Sequence, residues 1–190
     1  MGRWEPNARE RLVLAAVELF GEQGYDSTTV AQIAERAGLT KATFFRHFRD
    51  KREVLFAGQD VHSRLLADGV AAAPDAATPM AAVAAALDAL TASFTPAQRE
   101  FGPALRAVIA ANSELRERAA FKRAGLVEAL ADALRRRNVP DPAAGLAAEV
   151  GVHAFYRAFE SWTDPANARP FGELAREALG ELHAAVTTLH

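Results

Sequence analysis

The sequence predicts an all-α protein, and three observations support this. Alanine is abundant along the whole chain, and it is the residue with the highest helix propensity. The prolines fall between segments with helical periodicity. Stretches that alternate β-branched and polar residues, which would indicate strands, are missing. Half of the 190 residues are hydrophobic and 24% are charged, a composition that can bury a core.

The pattern divides into a three-helix N-terminal domain over residues 1–52 and a helical C-terminal domain over residues 53–190. We expect helices that begin and end with capping residues, glycines or prolines, over residues 7–23, 29–37, 41–48, 51–70, 80–94, 96–111, 114–137, 143–162 and 170–189. Residues 73–79, APDAATP, form the clearest predicted loop.

The segment TTVAQIAERAGLTKATFFRHFRDK, residues 28–51, predicts two short helices joined by a tight turn. Thr29 and Gln32 form a capping box that fixes the start of the first helix. Gly38 ends this helix, because glycine adopts the left-handed conformation at low cost. Thr40 then caps a second helix that begins at Lys41. Two helices joined in this way form the motif that places a helix in the major groove of DNA.

The second of these helices has two different faces. Phe44 and Phe48, four residues apart, are expected to face inward. Ala42, Thr43 and Arg46 point the other way, and small, hydroxyl-bearing and cationic side chains suit close contact with phosphates and base edges.

Residues 9–55 resemble the N-terminal DNA-binding domain of the TetR family of transcriptional regulators. The resemblance rests on FGEQGYDSTT, IAERAGLTKATFFRHF and KREVL, in this order and spacing. It implies a regulator, most simply a repressor, that binds a palindromic double-stranded operator as a homodimer. The DNA-binding residues that it implies are Thr29, Thr40, Lys41, Ala42, Thr43, Phe45, Arg46, His47 and Lys51.

The resemblance also suggests a role for each of these residues. Thr29 and Thr40 would bind phosphates through hydroxyl groups and helix N-termini, and His47 and Lys51 would clamp the flanks. Arg46 would be the main base contact, because an arginine can bind guanine through two hydrogen bonds. The sequence departs from the family at Phe45, where a tyrosine hydroxyl commonly binds a phosphate.

Charge supports DNA binding only weakly. The net charge is −2, with nine Lys/Arg and seven Asp/Glu in residues 1–52 against thirteen and seventeen in the remainder. Five cations cluster at residues 41–52, namely Lys41, Arg46, Arg49, Lys51 and Arg52. Charge alone favours an ordinary solvated surface as the explanation of this cluster, and the helix-turn-helix context reverses that preference.

The last two predicted helices carry the features of a dimer interface. The final helix presents one apolar stripe, formed by Ala175, Ala178, Leu179, Leu182, Val186 and Leu189. Its neighbour presents Leu146, Val150 and the small residues Ala147 and Gly151. Two such helices can pair with their copies in a four-helix bundle, or both stripes can pack within one chain.

The C-terminal domain is rich in large apolar side chains, with Arg106 and His153 among them. Such a set forms either a plain core or a small-molecule site. The family generally binds an inducer here, so the resemblance implies a ligand site at Phe101, Leu105, Arg106, Phe121, Phe155, Phe159 and Trp162. Residues 112–137 are also similar to a TetR subgroup that senses acyl-CoA-like ligands. Arg135–Arg137 would then either bind a CoA phosphate or stabilise a helix C-terminus.

Other classes of protein have less support. The chain has no cysteine, so thiolate sites are excluded. Glu149 and His153 are spaced for a metal site but lack a third ligand, and no catalytic triad or phosphate-binding glycine loop is evident. We expect no enzymatic activity, metal or cofactor. We also expect neither a signal peptide nor a membrane span, and therefore a cytoplasmic protein. A helical module that binds another protein remains an alternative.

Overall fold

A computed structural model describes residues 8–189 of the chain. These residues form the helices α1 (Ala8–Gln23), α2 (Val30–Arg36), α3 (Lys41–His47), α4 (Gln59–Ala72), α5 (Pro79–Thr91), α6 (Pro96–Ala111), α7 (Ser113–Arg136), α8 (Ala143–Thr163) and α9 (Phe171–Thr187). A 3₁₀ helix, Glu53–Phe56, lies between α3 and α4. No β-strand occurs among residues 8–189, so the predicted all-α class is confirmed. Within the same range, no single helix is long and apolar enough to cross a bilayer.

Most of the predicted helices are confirmed to within a few residues. Both ends of α6 and the C-terminal end of α1 lie where the sequence predicts them, and the ends of α7, α8 and α9 differ by at most two residues. The predicted first residue of α1, Asn7, lies outside the described residues.

The prediction of one continuous helix over residues 51–70 is wrong. The structure has the 3₁₀ helix, then a break, then α4. Gly58 at the break has φ 100°, a left-handed conformation that suits glycine and interrupts a right-handed helix. Asp50 also starts a separate element, because its Oδ1 accepts hydrogen bonds from the backbone N–H groups of Arg52 (2.9 Å) and Glu53 (3.1 Å).

The chain divides into two compact units. The first comprises residues 1–57 and 101–120, and the second comprises residues 58–100 and 121–190. The N-terminal part of the first unit extends to Ala57. The first unit also includes parts of α6 and α7, a long-range association that no local pattern indicates.

The first unit has its own apolar core. Helix α1 contributes six buried residues, and α2 and α3 add Ile33, Ala34 and Phe44. Val108 of α6 and Leu115 of α7 complete the cluster. Helices of seven residues are unstable alone in water, so α2 and α3 depend on this packing.

The second unit is a bundle in which small residues allow helices to approach closely. A Cβ atom on Gly69 of α4 would lie 2.6 Å from the Cα of Ala86 in α5. A Cβ atom on Gly151 of α8 would lie 2.5 Å from Cγ1 of Val83. The core of this unit includes Leu87, Leu130 and Leu134, each fully buried.

Much of the apolar stripe predicted for the last helix packs inside the second unit. Ala175, Ala178 and Leu179 are each at most 7% exposed. Ala147 and Gly151 of α8 are buried as well. These residues therefore pack within one chain, which was the alternative to a dimer interface. Leu146 and Leu189 are exposed, at 54% and 81% of their surface.

We expect Gly69→Ala to lower the free energy of unfolding by about 1–3 kcal/mol, the usual effect of overpacking. The added methyl group would meet backbone atoms of α5, which have no rotamer to relax. Chemical denaturation followed by circular dichroism measures the change.

Gly125→Ala on α7 is the matched control, because its Cβ would meet only Gln59 Nε2, at 3.8 Å. This variant should be stabilised by up to ~1 kcal/mol, since alanine favours a helix over glycine. Equal stability of the two variants would contradict the close approach of α4 and α5.

Candidate nucleic-acid interface

Helix α2 begins with the predicted capping box. The backbone N–H of Gln32 donates to Thr29 Oγ1 at 3.3 Å, and the backbone N–H of Thr29 donates to Gln32 Oε1 at 2.8 Å. The Thr29 hydroxyl also donates to Gln32 Oε1 at 2.9 Å. Both N-terminal donors are satisfied, so the start of α2 is fixed and the exposed Thr29 lies at a helix N-terminus.

Helix α2 ends in a Schellman motif at Gly38, as predicted. Gly38 has φ 64°, its N–H donates to the carbonyl of Glu35, and the N–H of Leu39 donates to the carbonyl of Ala34. The guanidinium of Arg11 in α1 donates to the carbonyl of Ala37. The sequence alone does not indicate this contact, because Arg11 lies 26 residues from Ala37 in the chain.

Helix α3 begins at Thr40, whose Oγ1 accepts the backbone N–H of Thr43 at 3.1 Å. Phe44 and Phe48 are 0% and 4% exposed, which confirms the predicted inner face. The exposed residues of α3 are Lys41, Ala42, Phe45, Arg46 and His47, and Thr43 is half-buried. The helix therefore presents a mixed apolar and cationic face to solvent.

Phe45 stands at the centre of this face. Its side chain is 50% exposed, and its ring meets the Phe44 ring edge to face at 5.6 Å between centroids. The Lys41 ammonium lies 5.9 Å from the Phe45 ring centroid, within the range of a cation–π interaction. Because Phe45 has no hydroxyl, its contact with DNA would be apolar.

The cations near the helix-turn-helix fall into two groups. Arg46 has no hydrogen-bond or ion-pair partner within residues 8–189, and Lys41 has only the Phe45 ring. Arg52, in contrast, pairs with Asp50 at 2.9 Å and with Glu114 at 3.1 Å. Arg36 of α2 pairs with Glu18 at 3.2 Å and with Glu22 at 2.8 Å. Lys41 and Arg46 are therefore available to bind phosphate, whereas Arg36 and Arg52 are engaged in ion pairs.

The pKa values of two carboxyl groups reflect these ion pairs. The hydrogen bond from Arg36, assisted by its charge, lowers the pKa of Glu22. Burial raises the pKa of Asp50. The hydrogen bonds from Arg52 and from the backbone N–H of Glu53 lower this pKa by more than burial raises it, so the net shift is downward. Both carboxylates therefore stay charged, and the paired arginines stay engaged, at neutral pH.

Lys51 lies in a different environment from Lys41. Its Nζ donates to the carbonyls of Tyr25 at 2.7 Å and Thr28 at 3.1 Å, and lies 4.1 Å from the Tyr25 ring centroid. Tyr25 is buried, and burial raises the pKa of its hydroxyl to about 12. The ring beside Lys51 is thus neutral at physiological pH. Lys51, to which the resemblance assigns a phosphate contact at the flank of α3, therefore makes its hydrogen bonds within the first unit.

Residues 12–57 match the family profile of the bacterial regulatory proteins of the tetR family. Over this segment the chain is similar to the TetR family. The chain is 54% identical to the HTH-type transcriptional regulator TcmR of Streptomyces glaucescens over 46 residues. This segment is 24% of this chain and 20% of TcmR. The chain is 38% identical to the HTH-type transcriptional regulator BetI of Rhizobium meliloti over 82 residues, a segment that is 43% of this chain and 40% of BetI. The chain thus spans well under two thirds of these relatives.

Solved structures of TetR-like regulators share the fold over nearly the whole chain. The transcriptional regulator FadR from Bacillus subtilis, solved in complex with stearoyl-CoA, aligns with a TM-score of 0.59 over 95% of this chain and 99% of its own, at 18% identity. Salmonella enterica GusR aligns with a TM-score of 0.57 over 99% of this chain and 98% of its own, at 19% identity. At these identities the likeness establishes the fold alone.

The TetR-like ligand residues expected from the sequence do not fall in one compact unit. Phe101 and Leu105 are half-buried against the core of the first unit, and Arg106 belongs to the same unit. Phe121 belongs to the second unit and is 67% exposed.

Three of the expected ligand residues come together in an aromatic cluster of the second unit. Phe155, Phe159 and Trp162 of α8 pack with Phe94, and with Phe171, which the sequence analysis missed. Trp162 and Phe171 stack with centroids 4.6 Å apart at 10°. A shallow cleft of about 400 Å³ borders Phe94, Trp162 and Phe171.

Glu149 and His153 have the spacing of a metal site, but an arginine contacts the histidine. His153 Nδ1 lies 3.1 Å from Nη2 of Arg123, so the histidine accepts a hydrogen bond from the guanidinium. Within residues 8–189, no group of three His, Cys, Asp or Glu side chains is placed to hold a metal ion.

Two of the arginines considered for a CoA phosphate are engaged within the protein. Arg135 forms ion pairs with Asp132 and Asp141, and Arg137 donates to the carbonyls of Val70 and Ala73 at the end of α4.

We expect Lys41→Ala and Arg46→Ala each to abolish tight DNA binding while the protein stays folded. Both side chains are exposed, so their loss removes contacts with DNA but no core packing. For Arg46, loss of a base contact through two hydrogen bonds costs about 1–3 kcal/mol of discrimination. For Lys41, the substitution removes a cation that would bind phosphate. Titration of labelled duplex by fluorescence anisotropy measures binding, and circular dichroism measures folding.

Arg136→Ala is the matched control, since Arg136 is an exposed arginine of α7 in the second unit. This variant should bind DNA as the unmodified protein does. Normal binding by both α3 variants would mean that α3 is not the recognition helix.

Proposed function

We propose that this protein is a ligand-responsive transcriptional repressor of the TetR family, which acts in the cytoplasm and binds a palindromic operator as a homodimer. The observation that carries the proposal is the exposed face of α3, where Lys41, Phe45 and Arg46 project from a helix-turn-helix that is capped at each junction. Unpaired cations beside an apolar ring suit a surface that contacts both phosphates and base edges.

The residues of this face take separate roles. Thr29 and Thr40, at the N-termini of α2 and α3, bind phosphates, because helix N-termini attract anions. Lys41 and His47 bind the DNA backbone on either side of α3. Ala42, Thr43 and Arg46 approach the bases, and Arg46 is the main reader of guanine. Phe45 packs against sugar or base.

A homodimer places two such faces on the same side of the DNA. In two-fold helix-turn-helix dimers the recognition helices lie about 34–36 Å apart, one turn of DNA. The exposed apolar residues Leu146 of α8 and Leu189 beyond α9 favour an interface through the last two helices. A groove of about 290 Å³, bordered by Met80, Leu146, Val150 and Val186, continues the same apolar surface.

The effector that we propose is apolar or amphipathic. The aromatic cluster of Phe155, Phe159 and Trp162 supplies an apolar surface for it. FadR of Bacillus subtilis, which shares the fold, was solved with stearoyl-CoA, so acyl-CoA esters are the first class to examine. Since Arg135 and Arg137 are engaged within the protein, they are not the phosphate ligands in this proposal.

The proposed function predicts that the purified protein enriches a palindrome from a random DNA pool at about physiological salt. The half-sites should be centred about one helical turn apart. Affinity should fall steeply as salt rises, because phosphate binding releases counterions. The Lys41→Ala, Arg46→Ala double variant, carried through the same selection, controls for nonspecific enrichment.

Failure to enrich any sequence at any salt concentration would refute DNA recognition. The protein would then be better explained as a helical module that binds another protein. An enriched site without symmetry would refute the dimer but keep the regulator.

With the selected operator in hand, we expect a long-chain acyl-CoA to lower operator affinity by about 5–150-fold, the range that a coupling of ~1–3 kcal/mol gives. Linkage requires operator DNA to weaken acyl-CoA binding by the same factor. Anisotropy titrations and calorimetry measure the two directions. Free CoA is the control, because it has the phosphates but no acyl chain. Tight binding of the ester with no change in operator affinity would exclude it as an inducer.

A further inference from the structure

One large apolar side chain lies on the exposed face of α3. Phe45 is 50% exposed, whereas the neighbouring aromatic residues Phe44 and Phe48 are 0% and 4% exposed. Keeping apolar surface in water is unfavourable, and a phenyl ring gains no hydrogen bond in return. The core packing of this segment comes from Phe44 and Phe48, so half of the Phe45 side chain is free to contact another molecule.

The ring of Phe45 is oriented within the first unit itself. It meets the Phe44 ring edge to face, with centroids 5.6 Å apart and ring planes at 83°. Because Phe44 is fully buried, it anchors one side of the Phe45 ring. Lys41, one turn earlier on the helix, places its ammonium 5.9 Å from the Phe45 centroid. A rigid aromatic side chain that is already oriented loses little conformational entropy when it binds a partner.

The position of Phe45 on the helix determines which part of the DNA it would meet. Residues three and four apart lie on one side of a helix, so Ala42 shares its side of α3 with Phe45 and Arg46. All three are exposed. The proposed function assigns approach to the bases to Ala42 and Arg46. Phe45 therefore lies on the side of α3 that would face the base edges.

The chemistry of the ring restricts its target further. A phenyl group has neither donor nor acceptor, and the face of its π system is negative, so it offers no attraction to a phosphate. Among the base edges in the major groove, only thymine adds an apolar group, its C5-methyl. Contact between the ring and this methyl group removes apolar surface from water on both sides.

We infer that Phe45 recognises a thymine in each half-site of the operator through the C5-methyl group of the base. The inference rests on the proposed DNA-binding function and adds a base preference to it. In TetR-like proteins a tyrosine commonly stands at the matching position, and its hydroxyl binds a phosphate. Phe45 lacks that hydroxyl, so a contact that carries no sequence information is replaced by one that does.

Replacement of thymine by deoxyuridine in the selected operator tests the inference, because it removes only the methyl group and keeps the base pair. The thymines are replaced in turn, as symmetric pairs in the two half-sites, and affinity is measured by fluorescence anisotropy. At one pair the unmodified protein should bind about 15-fold more weakly, which is about fourfold for each methyl group that is no longer buried.

Three variants are titrated with the thymine duplex and with the deoxyuridine duplex of that pair. Phe45→Ala should bind the two duplexes equally. Phe45→Leu keeps an apolar side chain and should retain part of the preference for thymine. Ala42→Gly, the control at the neighbouring small residue, should retain the full preference. Each variant is compared with itself on two duplexes, so a change in its stability cancels, and circular dichroism verifies folding.

A Phe45→Ala variant with the thymine preference of the unmodified protein would overturn the inference. Loss of the preference in Ala42→Gly alone would assign the methyl contact to Ala42 and would also overturn it. So would an operator in which no thymine pair responds to deoxyuridine, since the ring would then pack only on sugar. These outcomes all require tight operator binding. Failure of the unmodified protein to select any operator would instead refute the proposed function itself.

Discussion

The structure depends on satisfying the carbonyl groups at the ends of short helices and in the turns between them. The last four carbonyls of a helix have no partner within it, and burying them unpaired is costly. In this chain cations from distant segments take that role. Arg11 binds the end of α2, Arg99 the end of α8, Arg137 the end of α4, and Lys51 the loop before α2. Two of these contacts, made by Arg11 and Lys51, hold the backbone on either side of α2, the first helix of the helix-turn-helix.

The same contacts explain what the sequence predicts and what it does not. Capping boxes, N-cap threonines and C-terminal glycines act over three to six residues, so the boundaries of α2 and the start of α3 could be predicted. The Lys51 and Arg11 contacts each join residues 26 positions apart, and no local pattern contains them. The continuous helix predicted over residues 51–70 failed for a related reason. Apolar periodicity continues through the break, and only backbone geometry shows that Gly58 is left-handed.

The candidate ligand site shows the limit of composition as a guide. Large apolar residues on α6 and α8 look alike in the sequence, yet Phe101 packs in the first unit and Phe155 in the second. Phe171 joins the aromatic cluster from the first turn of α9. It continues the apolar stripe of Ala175 and Ala178, a spacing that indicates a buried residue but does not identify its aromatic partners. The exposed face of α3 was predictable because its residues are consecutive on one short helix. A ligand site assembled from several helices depends on tertiary packing, which one sequence does not reveal.

Ion pairs join α7 to the segment between α3 and α4 within the first unit. Helices α6 and α7 each contribute residues to both compact units, so each is an unbroken helix shared by the two. In the first unit, Glu114 and Arg118 of α7 pair with Arg52 and Glu53, which directly follow Lys51. The part of α7 in the first unit is therefore tied by ion pairs to the segment that follows α3. Because these pairs join residues more than 60 positions apart in the chain, no local pattern of the sequence indicates them.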